Sequence, residues 1–426
     1  MTVNDQPLSD YGKLYTTWDP YDVCQPASTA EVQAAVRQAR AEGRAIRVRG
    51  SAHTFSGATV PRAGELLIRT SRLDGFSFEA PGTIRAGAGA LVWDVRDFVA
   101  THGLQMPVYH GGWAGPTVGG YVCAGGMGLR VPPDDRERWL AMSTEARPPL
   151  ASISEVHGGF WEHVRAITFV DGTGAVRHID DSDETFPWLF GCFGQFGVIV
   201  DVTLALLPAD PATPYPLGLS GRIPRLQTDD PAVNDGPPSA AGERILCWFS
   251  YLVQPEQEDE AWHALGQWVR DHASVLQPQG GWVGPIVNGE PIGYRYEVRF
   301  RRFNPPLLYD RQASFVLMGL MATFTGIGTP AGDDRLLDAE RGFLATARRQ
   351  GLRLYPQAEN IGRRLDYEAY YGRDVFDAFA RLKARFDPDH VINPGVVFPS
   401  ETPPPARSSL GRLAATTFAR LFGEDR

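Results

Sequence analysis

Arg47-Val48-Arg49-Gly50-Ser51-Ala52-His53-Thr54-Phe55-Ser56-Gly57 decides the reading of this chain. Ala45 to Arg49 alternates as a short strand, with Ile46 and Val48 on one face and Arg47 and Arg49 on the other. It runs directly into Gly50 and a polar loop. A strand that ends in a glycine turn exposes successive main-chain N–H groups, and such a nest binds anions. Just upstream, Ser28 and Glu31 have the spacing of a capping box. Val32, Ala35, Val36 and Ala39 follow at helical intervals. Gly43 stands where a helix end takes a left-handed residue. The first folded unit is therefore expected to open near Pro26.

A second glycine-rich run spans Gly111 to Gly128, after a helical stripe of Val92, Val95, Phe98 and Val99 that stops at Gly103. Two such loops, far apart in sequence, can grip a dinucleotide's pyrophosphate through main-chain donors. Glycine suits that role because a side chain would hold the backbone away from the phosphate oxygens. Neither loop is a G-x-G-x-x-G helix start or a phosphate loop ending in G-K-[ST]. Further on, Val164 to Ile179 reads as a hairpin turning at Asp171-Gly172-Thr173-Gly174, and Phe186 to Phe190 as a short aromatic element. Gly194-Gln195-Phe196-Gly197 opens a strand, Val198 to Leu207, that Pro208 ends. Ala209 to about Glu243 turns to Pro, Gly and Asp and reads as a connector. A second unit follows, in which Tyr294 to Phe300 alternates as a strand. Val375, Phe376, Phe379, Leu382 and Phe386 form a helical stripe closed by Asp387-Pro388. Beyond the Pro-rich run Ser400 to Ser409, Leu410, Leu413, Phe418, Leu421 and Phe422 make one more amphipathic stripe, to dock on its own domain, on a twin subunit or on a membrane.

Composition removes several classes of function. At 426 residues, with 43% hydrophobic and 21% charged, the sequence suits a globular protein of two domains with a tail. A net charge of -9 carries no basic footprint for nucleic acid. Lysine occurs only at Lys13 and Lys383, so Schiff-base chemistry has almost no candidates. Cys24, Cys123, Cys192 and Cys247 lack C-x-x-C spacing, which argues against a disulfide scaffold or structural zinc and for small buried hydrophobes. His102 before Gly103 reads as a helix-end cation. Met1 to Asp10 lacks the order of a signal peptide, and no apolar run is long enough to span a membrane, so a cytoplasmic location is expected.

Four segments resemble one family in its own order. Arg49-Gly50-Ser51-Ala52-His53-Thr54-Phe55-Ser56-Gly57 resembles the R-G-x-x-H-[ST]-x-x-G loop of the vanillyl-alcohol oxidase/p-cresol methylhydroxylase flavoproteins. Pro116-Thr117-Val118-Gly119-Gly120 with Gly125-Gly126-Met127-Gly128 resembles their second flavin loop. Gly194-Gln195-Phe196-Gly197-Val198-Ile199 resembles the third signature, in a form close to that of cytokinin dehydrogenases. Leu382-Lys383, Phe386-Asp387-Pro388 and Asn393-Pro394-Gly395 resemble the closing motif.

The resemblance implies an α+β chain: a p-cresol methylhydroxylase-type FAD-binding domain of two α/β subdomains, with an inserted α+β substrate domain on an antiparallel sheet. The boundaries expected are 1–208 for the N-terminal part of the FAD domain, 209–360 for the substrate domain, 361–400 for its C-terminal completion, and 401–426 for the tail. It implies FAD contacts from Arg47, Arg49, Gly50, Ser51, Ala52, His53, Thr54, Phe55, Ser56, Pro116, Thr117, Val118, Gly119, Gly120, Gly125, Gly126, Gly128, His157, Gly197, Val198, Ile199 and Asn393. His53 is the position that carries the flavin 8α-methyl bond in covalent members and lies beside the ring in others. The berberine-bridge branch adds a cysteine link just before its P-T-V-G motif. Here Ala114 and Gly115 stand there, and Cys123 lies beyond the motif. The H-W-x-K motif of aldonolactone oxidases is absent around Asn360 to Tyr371.

Leu129 to Ser152 is an insertion relative to the family, expected to cover the flavin or shape the substrate entrance. Glu297 and Arg299 share a face of their strand, as a base with an anion partner or as an ordinary ion pair. Tyr355, Glu359, Tyr370 and Tyr371 are further candidates near the return into the FAD domain. The expected activity is hydride transfer from an alcohol or amine carbon of a small molecule to the flavin, with oxygen or another acceptor taking the electrons, in a monomer or homodimer. The arginine-rich composition hints at secondary metabolism in a high-GC bacterium. The alternatives are a nicotinamide-dependent flavin reductase of the same fold and a non-catalytic flavin-binding protein.

Overall fold

The computed structural model describes residues 2–4, 6–106, 109–110, 115–129, 159–209, 245–274, 276–278, 294–300, 302–308, 314–324, 330–355 and 366–400. The fold begins earlier than Pro26. Strands β1 (Thr2–Asn4), β2 (Leu8–Ser9), β3 (Thr16–Thr17) and β4 (Tyr21–Cys24) all precede it. Their polar residues hide them from a periodicity reading, yet Leu8, Thr16 and Tyr21 are buried.

Helix α1 (Thr29–Ala41) starts where the capping box places it. Ser28 accepts the Glu31 N–H at 3.3 Å, and the Glu31 carboxylate accepts from the Ala27 N–H. Val32, Ala35, Val36 and Ala39 are the buried stripe, and Gly43 is left-handed at φ 64°. Strands β5 (Ile46–Arg49) and β6 (Leu66–Arg69) then pair in parallel. With β4 parallel to β6 and β1 antiparallel to β4, they make a four-stranded sheet in the order β1-β4-β6-β5. The arginine face of β5 is not solvent-facing: Arg47 and Arg49 are both about as buried as Ile46.

A second sheet follows, antiparallel and five-stranded. Its strands are β7 (Phe76–Ala80), β8 (Thr83–Gly87), β12 (Val164–Asp171), β13 (Val176–Asp180) and β14 (Gly197–Ala205), in the order β13-β12-β14-β8-β7. Helices α2 (Val92–Ala100) and α3 (Val118–Ala124) cover one face, joining a core with Ile167, Phe169, Ile199 and Val202. The other face carries Val170, Val198 and Val200 against α1 and the first sheet. Strand alternation thus makes β14 the shared wall of two cores. Short pairs complete this half. Strand β9 (Leu104–Gln105) pairs with β15 (Leu207–Pro208), so pairing continues through Pro208, and β10 (Tyr109–His110) pairs with β11 (Gly128–Leu129).

The third sheet is antiparallel and centres on β19 (Ser314–Phe324). On one edge it pairs with β16 (Ile245–Val253) over nine register positions. On the other it pairs with β17 (Leu276–Pro278) and β18 (Tyr294–Arg299) in succession. Strand β20 (Arg353–Leu354) extends the β16 side. Helices Glu258–Asp271 and Pro330–Gln350 pack on it through Trp268, Phe343 and Leu265. The connector at 210–244 and the C-terminal stripe from Leu410 lie outside the described residues.

The chain then returns to its first half. Helices Tyr367–Tyr371 and Arg373–Phe386 lead to Ile392, which bridges to Ile46 in parallel beside β5. Lys383, buried, donates to Asp387 at 2.6 Å and to the Gln195 and Ile392 carbonyls at 2.8 Å each. No helix among the described residues is long and apolar enough to cross a membrane.

Candidate functional site: two glycine loops around His53

The loop after β5 is built around a sharp reversal. Ala52 sits at φ 56°, a region that L-residues enter at a cost of about 1–2 kcal/mol. The strain is held by neighbours. Tyr11 N–H donates to the Ala52 carbonyl at 2.9 Å, and Gly12 N–H to that of Thr54 at 3.2 Å. Asp10 Oδ2 accepts from Gly57 N–H at 2.6 Å and from the Thr54 hydroxyl at 3.1 Å. The segment Asp10–Gly12 therefore templates the loop. Its result is to set the His53 imidazole against the Tyr11 phenol, with centroids 4.3 Å apart and planes 24° from parallel.

The second loop meets the first at two points. Thr117 caps α3 by accepting the Gly120 N–H at 3.2 Å, and its Oγ1 lies 2.4 Å from where a Cβ on Gly50 would stand. A Cβ on Gly115 would stand 2.3 Å from His53 Cδ2 and 2.9 Å from Nε2. Only glycine at these two positions lets the loops close on each other and lets the half-buried imidazole lie flush on the second loop's backbone. Pro116 and Val118 hold that loop in place, through Val92 N–H to the Pro116 carbonyl at 3.0 Å and Val118 N–H to Ala90 at 2.9 Å. Gly119 N–H donates to Ala88. Gly125 and Gly126 turn the chain out of α3, and Gly128 lies in β11.

The third and closing segments support the clasp from behind. Asn393, left-handed at φ 47°, accepts the Val48 N–H at 2.9 Å and donates to the Phe193 and Gly194 carbonyls at 3.1 Å each. One side chain thereby ties β5, the loop before β14 and the C-terminal return. Gly197 begins β14, and Val198 and Ile199 point into the two cores it divides. Gln195 donates to the Asn393 carbonyl, and its buried Oε1 has no partner among the described residues.

The arginines are placed differently from a phosphate clamp. Arg47 makes a buried bidentate pair with Glu65 at 2.7 and 2.9 Å and also reaches the Pro394 carbonyl. Arg49 donates to the Ser9 carbonyl at 2.7 Å and toward Thr59. Both brace the loop rather than point along it. Ser51, Phe55 and Ser56 are buried within the loop.

A line of rings leads from this clasp to the third sheet: Tyr11 to Phe55 at 5.5 Å, Phe55 to Trp248 at 5.6 Å, and Trp248 to Tyr355 at 5.5 Å. The Tyr355 hydroxyl donates to the Ala124 carbonyl at the end of α3. Tyr370 donates to the Leu354 carbonyl. Tyr371 is buried between Tyr367, Tyr370 and Phe379, with no partner for its hydroxyl among the described residues. Burial, with Tyr367 and Tyr370 adding to it, pushes its phenol well above the ordinary value of 10.0. It therefore stays protonated at neutral pH and can serve as a donor, not a base. Glu297 and Arg299 occupy β18 opposite Val316 and Ser314 of β19. His157, Glu359 and the insertion beyond Leu129 lie outside the described residues. Among the described residues no cluster of His, Cys, Asp or Glu is arranged to hold a metal ion.

Sequence reasoning missed Asp10, Tyr11, Glu65 and Trp248. None lies in a glycine-rich motif; each is brought to the loops by tertiary packing.

Residues 20–139 match the family model described as "FAD binding domain". That stretch is similar to an FAD-binding domain, which supports a relationship to the FAD-linked oxidase superfamily. The matched stretch holds both glycine loops and His53. A D-2-hydroxyglutarate dehydrogenase of Xanthomonas citri pv. viticola is 26% identical over 212 residues, 49% of this chain and 41% of that protein. An uncharacterized oxidoreductase, ORF5 of the fasciation locus of Rhodococcoides fascians, is 28% identical over 207 residues, 47% of this chain and 40% of that protein. The matched regions thus span about two-fifths of the relatives' lengths.

The residues present suit the cofactor. Two glycine positions without room for a side chain bring two loops together, as a clasp on a pyrophosphate needs. The hydroxyls of Ser51, Thr54, Ser56 and Thr117 and an imidazole lie in the same loops, and the buried Gln195 acceptor lies in the segment behind them. An uncharged set of main-chain and hydroxyl donors is adequate for this, since backbone N–H groups bind phosphate without a lysine.

Proposed function

We propose that the chain is an FAD-dependent oxidoreductase that takes a hydride from an alcohol or amine carbon of a small organic molecule. The observation that carries the reading is the closure of the two glycine loops on His53. Residues Gly50 to Ser56 and Pro116 to Gly120 would hold the cofactor, with His53 its covalent tether through the flavin 8α-methyl group. When bound, FAD supplies a two-electron acceptor for a C–H hydride.

The protein's own groups have the remaining tasks. Tyr11 fixes the plane of His53, and Gly115 leaves it room. The sheet from β16 to β19 is the proposed substrate side, with Trp248 and Tyr355 as the aromatic wall nearest the clasp. Tyr371 is proposed as a hydrogen-bond donor held neutral by burial. Glu297 and Arg299 are the proposed base and anion partner on β18. The likeness to the Xanthomonas D-2-hydroxyglutarate dehydrogenase supports the alcohol form of the reaction, in which a hydroxy acid gives up its carbinol hydride. A secondary-metabolite substrate and a cytoplasmic setting remain part of this proposal.

The test is anaerobic mixing of the FAD-loaded protein with small alcohols, amines and 2-hydroxy acids, followed by the flavin's visible absorbance. Bleaching by members of one class supports the reading and names the class. Bleaching by NADPH alone would move the chain to the reductase reading, and no bleaching by any of them to a flavin-binding role.

A further inference from the structure

Two of the four cysteines meet although they lie far apart in sequence. Cys123 is near the end of α3, between Gly120 and Gly125 of the second glycine-rich run. Cys192 is in the loop that enters β14, preceded by the short helix Phe186–Leu189. The two backbones are hydrogen-bonded: Phe193 N–H donates to the Cys123 carbonyl at 3.2 Å, and Gly191 N–H to the Val122 carbonyl at 3.4 Å. Both side chains pack in the same core. Cys123 Sγ also lies 3.6 Å from where a Cβ on Gly194 would stand.

The turn that makes this possible is strained. Phe193 and Gly194 are consecutive left-handed residues, at φ 55° and 64°. Such a turn points successive N–H groups into one hollow, and the Gln195 N–H donates to the Cys192 carbonyl at 3.1 Å. As a thiol, Cys192 donates to the Leu189 carbonyl at 3.2 Å.

We propose that Cys123 and Cys192 are a reversible disulfide-forming pair, a modification site oxidised by hydrogen peroxide or a similar small hydroperoxide. The Cys123 side chain beside it holds the Cys192 thiol below its ordinary value against the opposing effect of burial, and the same contact together with burial raises that of Cys123. Cys192 is thus the more acidic of the two thiols and, once deprotonated, the nucleophile, with Cys123 the resolving thiol. The Cys192 thiolate attacks one peroxide oxygen. The O–O bond breaks, hydroxide leaves and takes a proton as water, and Cys192 becomes a sulfenic acid. Cys123 Sγ then attacks Cys192 Sγ, the S–O bond breaks, and the hydroxyl leaves as a second water with the Cys123 proton. Overall two thiols lose two electrons and two protons, and one peroxide becomes two waters. The bond would staple α3 to the loop before β14, joining the second and third glycine segments behind the clasp.

The other two thiols are built as internal controls. Cys24 lies on β4 against the core of the first sheet, and Cys247 on β16 in the core of the third. Neither shares a core with the Cys123–Cys192 pair.

The experiment treats the full chain with hydrogen peroxide, alkylates it under denaturing conditions, and maps the digest by mass spectrometry without reductant. The expected result is loss of two of the four alkylable thiols, a single Cys123–Cys192 linked peptide, intact alkylation of Cys24 and Cys247, and full recovery with dithiothreitol. Cys123→Ser should leave Cys192 as a sulfenic acid trapped by dimedone. Retention of all four thiols, a linkage involving Cys24 or Cys247, or bonds only between separate molecules would overturn the proposal. The decisive map is made on the unsubstituted protein, so a variant that fails to fold leaves the test intact, and no part of it depends on bound flavin.

Discussion

The His53 imidazole stacks 4.3 Å from the Tyr11 phenol, and its Cδ2 edge fills the space that a side chain on residue 115 would occupy. The ring thus touches both the N-terminal segment and the second glycine loop. Its orientation is set before any cofactor arrives, which is what a group tethered at one nitrogen needs.

Gly115→Ala should therefore uncouple attachment from binding. A methyl 2.3 Å from Cδ2 must displace the imidazole, while the Gly50–Thr117 contact is left alone. The expected result is FAD that still co-purifies but mostly leaves on denaturation, seen as lost flavin fluorescence in a denaturing gel. Undiminished gel fluorescence would show that the ring's seat against residue 115 has no part in attachment.

Asn393 should be among the least replaceable residues outside the loops. Asn393→Ala removes three hydrogen bonds to Val48, Phe193 and Gly194 and leaves a β-carbon in left-handed backbone. We expect a loss of about 2–4 kcal/mol in denaturant unfolding. Asn393→Gly, which relieves the backbone but not the bonds, should fall between wild type and Ala. Equal stability of all three would remove Asn393 from its role as the tie.

Much of the first half was legible because its signals are local. The Ser28–Glu31 cap, the Val32–Ala39 stripe and the run from Arg49 into Gly50 each depend on neighbours in sequence. What was not legible depends on partners far away. Arg47 reads only as an FAD contact, because its buried pair with Glu65 depends on a partner 18 positions away. Asp10 and Tyr11 read as a polar terminus until they fold over Ala52 to Thr54. Cys123 and Cys192 read as separate small hydrophobes because 69 positions part them, and only the approach of the loop before β14 to α3 makes them a pair. The helices Glu258–Asp271 and Pro330–Gln350 and the strands β16 and β19 were passed over for a related reason. Their burial is decided by one another, not by a punctuating glycine or proline.

Alkaline pH should expose the buried phenols. Tyr121 and Tyr371 both have folded values raised well above 10.0 by burial. A raised folded value means that the folded state holds its proton where the unfolded chain has released it. Their contribution is therefore complete below about 10 and is lost as pH climbs from there toward the folded values. Thermal midpoints should be level near neutrality and fall steeply in strongly alkaline buffer. Tyr371→Phe should flatten part of that fall. It should cost little near neutrality, because the hydroxyl it removes has no partner among the described residues. A variant that is strongly destabilised at neutral pH would show that the hydroxyl is bonded in solution.

The central claim is that His53 holds FAD in this clasp, and acid precipitation of the purified protein tests it most directly. Wild-type protein is predicted to keep its yellow colour in the washed pellet, and His53→Ala to release all colour to the supernatant while still binding FAD before denaturation. Colour released by the wild type, or retained by His53→Ala, would contradict the account.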